Sequence, residues 1–97
     1  MERLDQLAGL IDEVGNTTRL RLLLVLGDGA KTPGVLNEQL GRRETDMART
    51  AYHIRALHAR GLIEEIRPRL SRGARQREYS LTGDGRHVLQ LATKLLG

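Results

Sequence analysis

Arg49 and Tyr52 are the side chains of this sequence whose types and spacing are best suited to reading a hydrogen-bonding surface. Three residues apart, they share one face of a helix. An arginine there can fork two N–H donors onto paired acceptors such as O6 and N7 of guanine, a contact that discriminates by about 1–3 kcal/mol. Ala48 is small enough to admit a partner and to meet a thymine methyl, and His53 can donate to a base or to a phosphate. Arg42, Arg43, Arg55 and Arg60 surround this set, and Arg69, Arg72, Arg75 and Arg77 follow it. Guanidinium groups in that number suit phosphate oxygens, which fix affinity and register without reading sequence.

No catalytic set can be assembled beside them. Asp12 with Glu13, and Glu64 with Glu65, are adjacent carboxylates that diverge along a helix or strand, and no nucleophile accompanies them. His53 and His58 point apart around a helix and His87 has no partner at ligand spacing, so no metal site is expected. With no cysteine, thiolate sites and disulfides are excluded. The doublets Gly27-Asp28-Gly29 and Gly83-Asp84-Gly85 lack the flanking pattern of a phosphate loop and read as turns. Neither an enzyme nor a cofactor is expected.

The element that must carry Arg49 and Tyr52 is a helix from Asp46 to Gly61, with Asp46 as N-cap and Gly61 as its left-handed stop. At about 100° per residue, Met47, Thr50, Ala51, Ile54, Leu57 and His58 gather on one face to meet a core. Ala48, Arg49, Tyr52, Ala56, Ala59 and Arg60 gather on the other, with His53 and Arg55 on the borders.

Upstream, residues 2–14 carry Leu4, Leu7, Leu10, Ile11 and Val14 at helical spacing. Asn16 or Thr17 caps a second helix, whose apolar run Leu22 to Leu26 does not by period separate helix from buried strand; the cap favours helix. Thr32 and Pro33 open a short helix with Val35, Leu36 and Leu40 inward, ending at Gly41. Two short helices joined by a glycine-containing turn make a helix-turn-helix pattern. Downstream, Leu62 to Arg67 and Arg75 to Leu81 alternate as strands about a tip at Pro68 to Ala74, giving an arginine-rich hairpin over about residues 67–77. Thr82 caps a last helix with Val88, Leu91, Ala92 and Leu95 on one stripe.

Charge follows the same division. Residues 42–77 hold ten arginines against four acids, a local +6, whereas the other 61 residues carry a local −2. One half therefore faces a polyanion and the other does something else. No apolar run approaches the roughly 20 residues that span a bilayer, and the beginning MERLDQ is unlike a signal peptide, so a cytoplasmic location without membrane contact is expected. The core lacks Phe and Trp and is thin for its length. A second copy, packed through Leu4, Leu7, Leu10, Ile11, Val88, Leu91, Ala92 and Leu95, would add the buried area that one chain struggles to supply.

The order helix, helix, helix-turn-helix, hairpin, helix resembles the winged helix-turn-helix transcription regulators, and the ArsR-like group most closely. The resemblance lies in Val14-Gly15-Asn16-Thr17-Thr18-Arg19-Leu20-Arg21-Leu22-Leu23, in Tyr52-His53-Ile54-Arg55-Ala56-Leu57 followed by Gly61-Leu62-Ile63-Glu64, and in Arg77-Glu78-Tyr79-Ser80-Leu81-Thr82. Two departures stand out: the turn after Gly41 is longer than is usual in that group, and its cysteine-based metal sites have no counterpart. Leu81-Thr82-Gly83-Asp84-Gly85-Arg86 is similar to the start of the last helix in MarR-like and PadR-like regulators.

The predicted fold is α+β, mostly α: a single winged helix-turn-helix domain over residues 1–97 with dimerisation helices at both ends. The resemblance implies a homodimeric, sequence-specific double-stranded-DNA-binding transcription regulator acting as a repressor, with or without an unknown small-molecule effector. The alternative is a winged-helix module that docks an acidic protein and reads no DNA.

Overall fold

A computed structural model of the chain describes residues 16–66 and 77–96. Among the described residues, five helical elements and two paired strands follow one another in the predicted order. The expected first helix at residues 2–14, with Leu4, Leu7, Leu10 and Ile11, lies outside the described residues, as does the hairpin tip with Arg69, Arg72 and Arg75.

Helix α1 spans Thr17–Leu26, and Asn16 caps it by accepting the Arg19 N–H on Oδ1 at 3.1 Å. The ambiguous run is therefore helical: Leu22, Leu23 and Leu26 are buried, while Leu24 stays half exposed. Each wholly buried leucine contributes about 2 kcal/mol of transfer free energy, so this stripe is a large part of a small core. Helix α2, Pro33–Gln39, starts where Thr32 Oγ1 accepts the Val35 N–H at 3.3 Å. Its inner side differs from expectation. Val35 is exposed, and Asn37 sits inward beside Leu36. The reason is polar: the Asn37 amide has two partners inside, the Thr50 hydroxyl and the Arg43 carbonyl.

The longer turn resolves into a single 3-10 turn, Glu44–Asp46, ahead of helix α3, Met47–Ala59. Asp46 does not cap α3 with its side chain. Its Oδ2 instead accepts the Arg43 N–H at 3.1 Å while its own N–H donates to the Arg43 carbonyl at 2.9 Å. These two bonds turn the carboxylate back along the chain, away from the first turn of α3. Helices α2 and α3 end alike: at Gly41 (φ +72°) and Gly61 (φ +73°) the backbone turns left-handed. The Arg42 N–H reaches the Asn37 carbonyl at 3.2 Å, and the Leu62 N–H reaches that of Leu57 at 3.1 Å, closing both helices in the glycine-dependent manner.

Strands β1, Ile63–Ile66, and β2, Glu78–Leu81, pair antiparallel with Ile63 opposite Leu81 and Glu65 opposite Tyr79. Lys31 adds a bridge on the other side of β2, exchanging both backbone hydrogen bonds with Tyr79 at 3.0 and 2.9 Å. Ile63, Tyr79 and Leu81 close the core over Leu57 and Ile54. Helix α4, Gly83–Leu96, begins where Thr82 Oγ1 accepts the Gly85 N–H at 3.0 Å and donates to the Gly61 carbonyl at 2.6 Å. A Cβ at Gly85 would fall onto the Leu62 carbonyl oxygen, so the helix can lie this close only because residue 85 has no side chain. The result is a mostly helical winged helix-turn-helix fold with a two-stranded antiparallel sheet.

The buried face of α4 is turned relative to the expected stripe. Gly85 and Ala92 are buried, and Val88 and Leu89 pack against the core. Positions 85, 88, 89 and 92 thus form the inward row, because the Gly85 contact fixes the rotation of the helix. Ala92 and Val88, expected at a surface between copies, face this chain's own interior. Leu91 lies half-buried to one side, and the Leu95 side chain is outside the described residues. Among the described residues no helix is long and apolar enough to cross a membrane.

Candidate nucleic-acid interface

Helix α3 divides much as its sequence predicts, except that His58, expected on the inner face, is exposed near the helix end with its ring edge-to-face with Tyr79. Thr50, Ile54 and Leu57 are buried, and this face packs against α1, α2 and β1. Ala48, Arg49, Tyr52, Arg55, Ala59 and Arg60 are exposed. Tyr52 is 57% exposed, and its ring stands edge-to-face with that of His53, the centroids 5.3 Å apart. The helix therefore offers a ridge of Ala48, Arg49 and Tyr52 on the side away from the core.

His53 is placed less simply. It is half-buried, and its Nδ1 accepts a hydrogen bond from Arg19 Nε at 3.3 Å, across from the first turn of α1. Burial, with the nearby Arg19, Arg42 and Arg49 charges, holds its pKa below the ordinary value. Because Nδ1 accepts, the ring in this arrangement is neutral and carries its proton on Nε2. Arg19 belongs to this cationic group although it stands 34 residues from His53 in the sequence.

Arg42 also departs from its expected place among the phosphate-facing arginines. Its Nη2 donates to Thr18 Oγ1 at 2.8 Å and its Nη1 to Thr50 Oγ1 at 3.5 Å, so the guanidinium is half-buried and turned inward. Arg43 points outward. Arg77, at the root of the hairpin, lies 3.4 Å from Glu65 with most of its side chain in solvent. Such an exposed pair is weak and yields readily to another anion. Arg43, Arg49, Arg55, Arg60 and Arg77 thus stand on the surface, and Arg42 does not join them.

Beside α4 a hollow is lined, among the described residues, by His87, Leu89, Gln90, Leu91, Thr93 and Lys94. All six come from one helix, which is too little to define a ligand.

No family model matches the sequence, and neither does any curated protein. Solved structures do. The chain is similar to Rv1404 from Mycobacterium tuberculosis, with a TM-score of 0.73 and 23% identity over 95% of this chain and 63% of that one. It is similar to AntR, an antimony-specific transcriptional repressor, with a TM-score of 0.75 and 20% identity over 96% of this chain and 76% of that one. It is also similar to a mutant MepR from S. aureus bound to an oligodeoxyribonucleotide, with a TM-score of 0.75 and 16% identity over 98% of this chain and 69% of that one. At these identities the likeness is one of fold. The chain spans less than two thirds of the length of Rv1404.

Proposed function

We propose that this chain is a winged-helix transcription regulator that binds duplex DNA site-specifically, with α3 as the recognition helix in the major groove. The observation that carries the reading is the division of α3. One face is locked in the core by Thr50, Ile54 and Leu57, while Arg49 and Tyr52 stand in solvent on the other, within the first two turns. Those turns are the part of a recognition helix that enters the groove. Arg43, Arg55, Arg60 and Arg77 flank them for phosphates, joined by Arg69, Arg72 and Arg75 of the hairpin tip. The reading is supported by solved structures of the same fold, which include a repressor and a protein bound to an oligodeoxyribonucleotide.

Residues 1–97 act as a single domain in this reading, and the working form is a homodimer that places two α3 helices in successive grooves about 34 Å apart. The pairing surface consists of Leu91 and Leu95 of α4 together with Leu4, Leu7, Leu10 and Ile11. Repression follows from occupancy of a site that overlaps a promoter, in the cytoplasm, with no catalytic step. A small-molecule effector would act at the pairing surface.

Selection from randomised duplex DNA tests the proposal. A symmetric sequence with two half-sites about 10 base pairs apart is expected. Enrichment of nothing, with retention of an acidic protein partner, would favour the docking module instead.

A further inference from the structure

We infer that Arg42 is a positioning residue for sequence discrimination: it acts through Thr18 and Thr50 to hold α3 at a fixed rotation, and it is not a phosphate contact. The inference rests on the DNA-binding reading above.

Four elements meet in one run of hydrogen bonds. Arg42, in the turn, donates to Thr18 in α1 at 2.8 Å and to Thr50 in α3 at 3.5 Å. Thr50 donates its single hydroxyl proton to Asn37 Oδ1 in α2 at 2.6 Å, which leaves its oxygen free to accept from Arg42. Asn37 Nδ2 then donates to the Arg43 carbonyl at 3.0 Å and returns the run to the turn. Thr50 is wholly buried and Asn37 nearly so. Each of the four bonds runs from an N–H or O–H to an oxygen able to accept it, and the directions are mutually consistent.

Burial of Ile54 and Leu57 sets which face of α3 turns inward, and it leaves smaller rotations open because apolar attraction is non-directional. Hydrogen bonds are directional, and Thr50 is the residue next to Arg49 in the chain. At a side-chain radius of about 5–6 Å, a helix rotation of about 20° would carry the Arg49 head group by about 2 Å. That displacement breaks a bidentate base contact but leaves a diffuse charge where a phosphate can still find it. Arg42 directs an N–H from each terminal nitrogen to a threonine, which holds its half-buried guanidinium against the protein.

The test uses the full chain and the duplex it selects. Affinities for that duplex and for random DNA are measured across a salt series for wild type, Arg42→Lys, Arg42→Ala, Thr18→Val and the Arg42→Lys/Thr18→Val pair, with thermal melts as a folding control. Arg42→Lys keeps the charge but not the fork, and Thr18→Val changes no charge at all. Each is expected to lower the ratio of specific to random binding by about tenfold, leaving the slope of log affinity on log salt unchanged, and the pair is expected to lose no more than either alone. If both single variants keep the wild-type ratio, or if Arg42→Ala lowers the slope by about one unit equally on both duplexes, Arg42 is a phosphate contact and the inference is wrong. A wild-type chain that prefers no duplex would remove the DNA-binding reading and this inference with it, whereas a discriminating wild type with discriminating variants removes this inference alone.

Discussion

Arg19 and His53 are joined by a hydrogen bond from Nε to Nδ1 at 3.3 Å, which ties the first turn of α1 to the edge of α3. An arginine cannot accept, so the imidazole must present a lone pair. A protonated His53 could not, and it would stand as a further cation beside Arg19, Arg42 and Arg49.

This relationship gives stability a pH dependence. Burial first, then the three arginines, hold the folded-state pKa of His53 below the 6.5 of the free side chain. The unfolded chain therefore binds the proton more readily, and stability rises with pH across the window between the two values. The contribution is present above pH 6.5 and is lost as pH falls through the lowered folded value. Urea unfolding of wild type and His53→Gln between pH 7.5 and 5 is expected to show an acid-side loss in the wild type that the variant lacks. Parallel curves would mean that the Arg19 contact does not persist in solution.

Arg49 and Arg55, both exposed on α3, should fail differently. Arg49→Ala is expected to cost about 1–3 kcal/mol on the selected duplex and to flatten preference at one base position. Arg55→Ala should weaken all duplexes alike and lower the salt slope by about one unit. Fluorescence anisotropy on the selected and random duplexes separates them, and equal losses for Arg49→Ala on both would remove its assigned role.

Two glycines in the first turn of α4 give an internal control for packing. Gly85→Ala drives a methyl into the Leu62 carbonyl, whereas a Cβ at Gly83 meets nothing within 4 Å. Overpacking of this kind costs about 3 kcal/mol when backbone must shift, which in a domain of this size lowers Tm by more than about 10 °C. Gly83→Ala should melt at or above the wild-type temperature, and similar melts for the two variants would contradict the contact.

Asn37→Ala removes the acceptor of the Thr50 hydroxyl and the donor to the Arg43 carbonyl together. Leaving buried polar groups unpaired costs about 1–3 kcal/mol each, so a loss of about 2 kcal/mol is expected in urea unfolding. A change within about 0.5 kcal/mol, the scale of an ordinary surface substitution, would show that water replaces the amide.

The order of elements and the two faces of α3 were legible in the sequence because both rest on local signals: caps at Asn16, Thr32 and Thr82, stops at Gly41 and Gly61, and a 3.6-residue period. What escaped were contacts between residues distant in the chain. Arg42 reads as a surface cation until Thr18, 24 positions away, is seen to accept from it. Asn37 reads as the polar side of a short helix, and only Thr50 and Arg43 explain why it is inside. The rotation of α4 is set by a meeting of Gly85 with Leu62 that no helical period encodes, and it turns Val88 and Ala92 toward this chain's own core.

The bridge between Lys31 and Tyr79 matters for what this ribbon does not do. Open strand margins recruit strands from other molecules, and proteins blunt them by covering or charging them. Here the outer margin of β2 is capped by Lys31, while β1, which has no described neighbour on its far side, carries exposed Glu64 and Glu65. Both margins of the paired strands are thus guarded at high concentration against templating fibrous self-association.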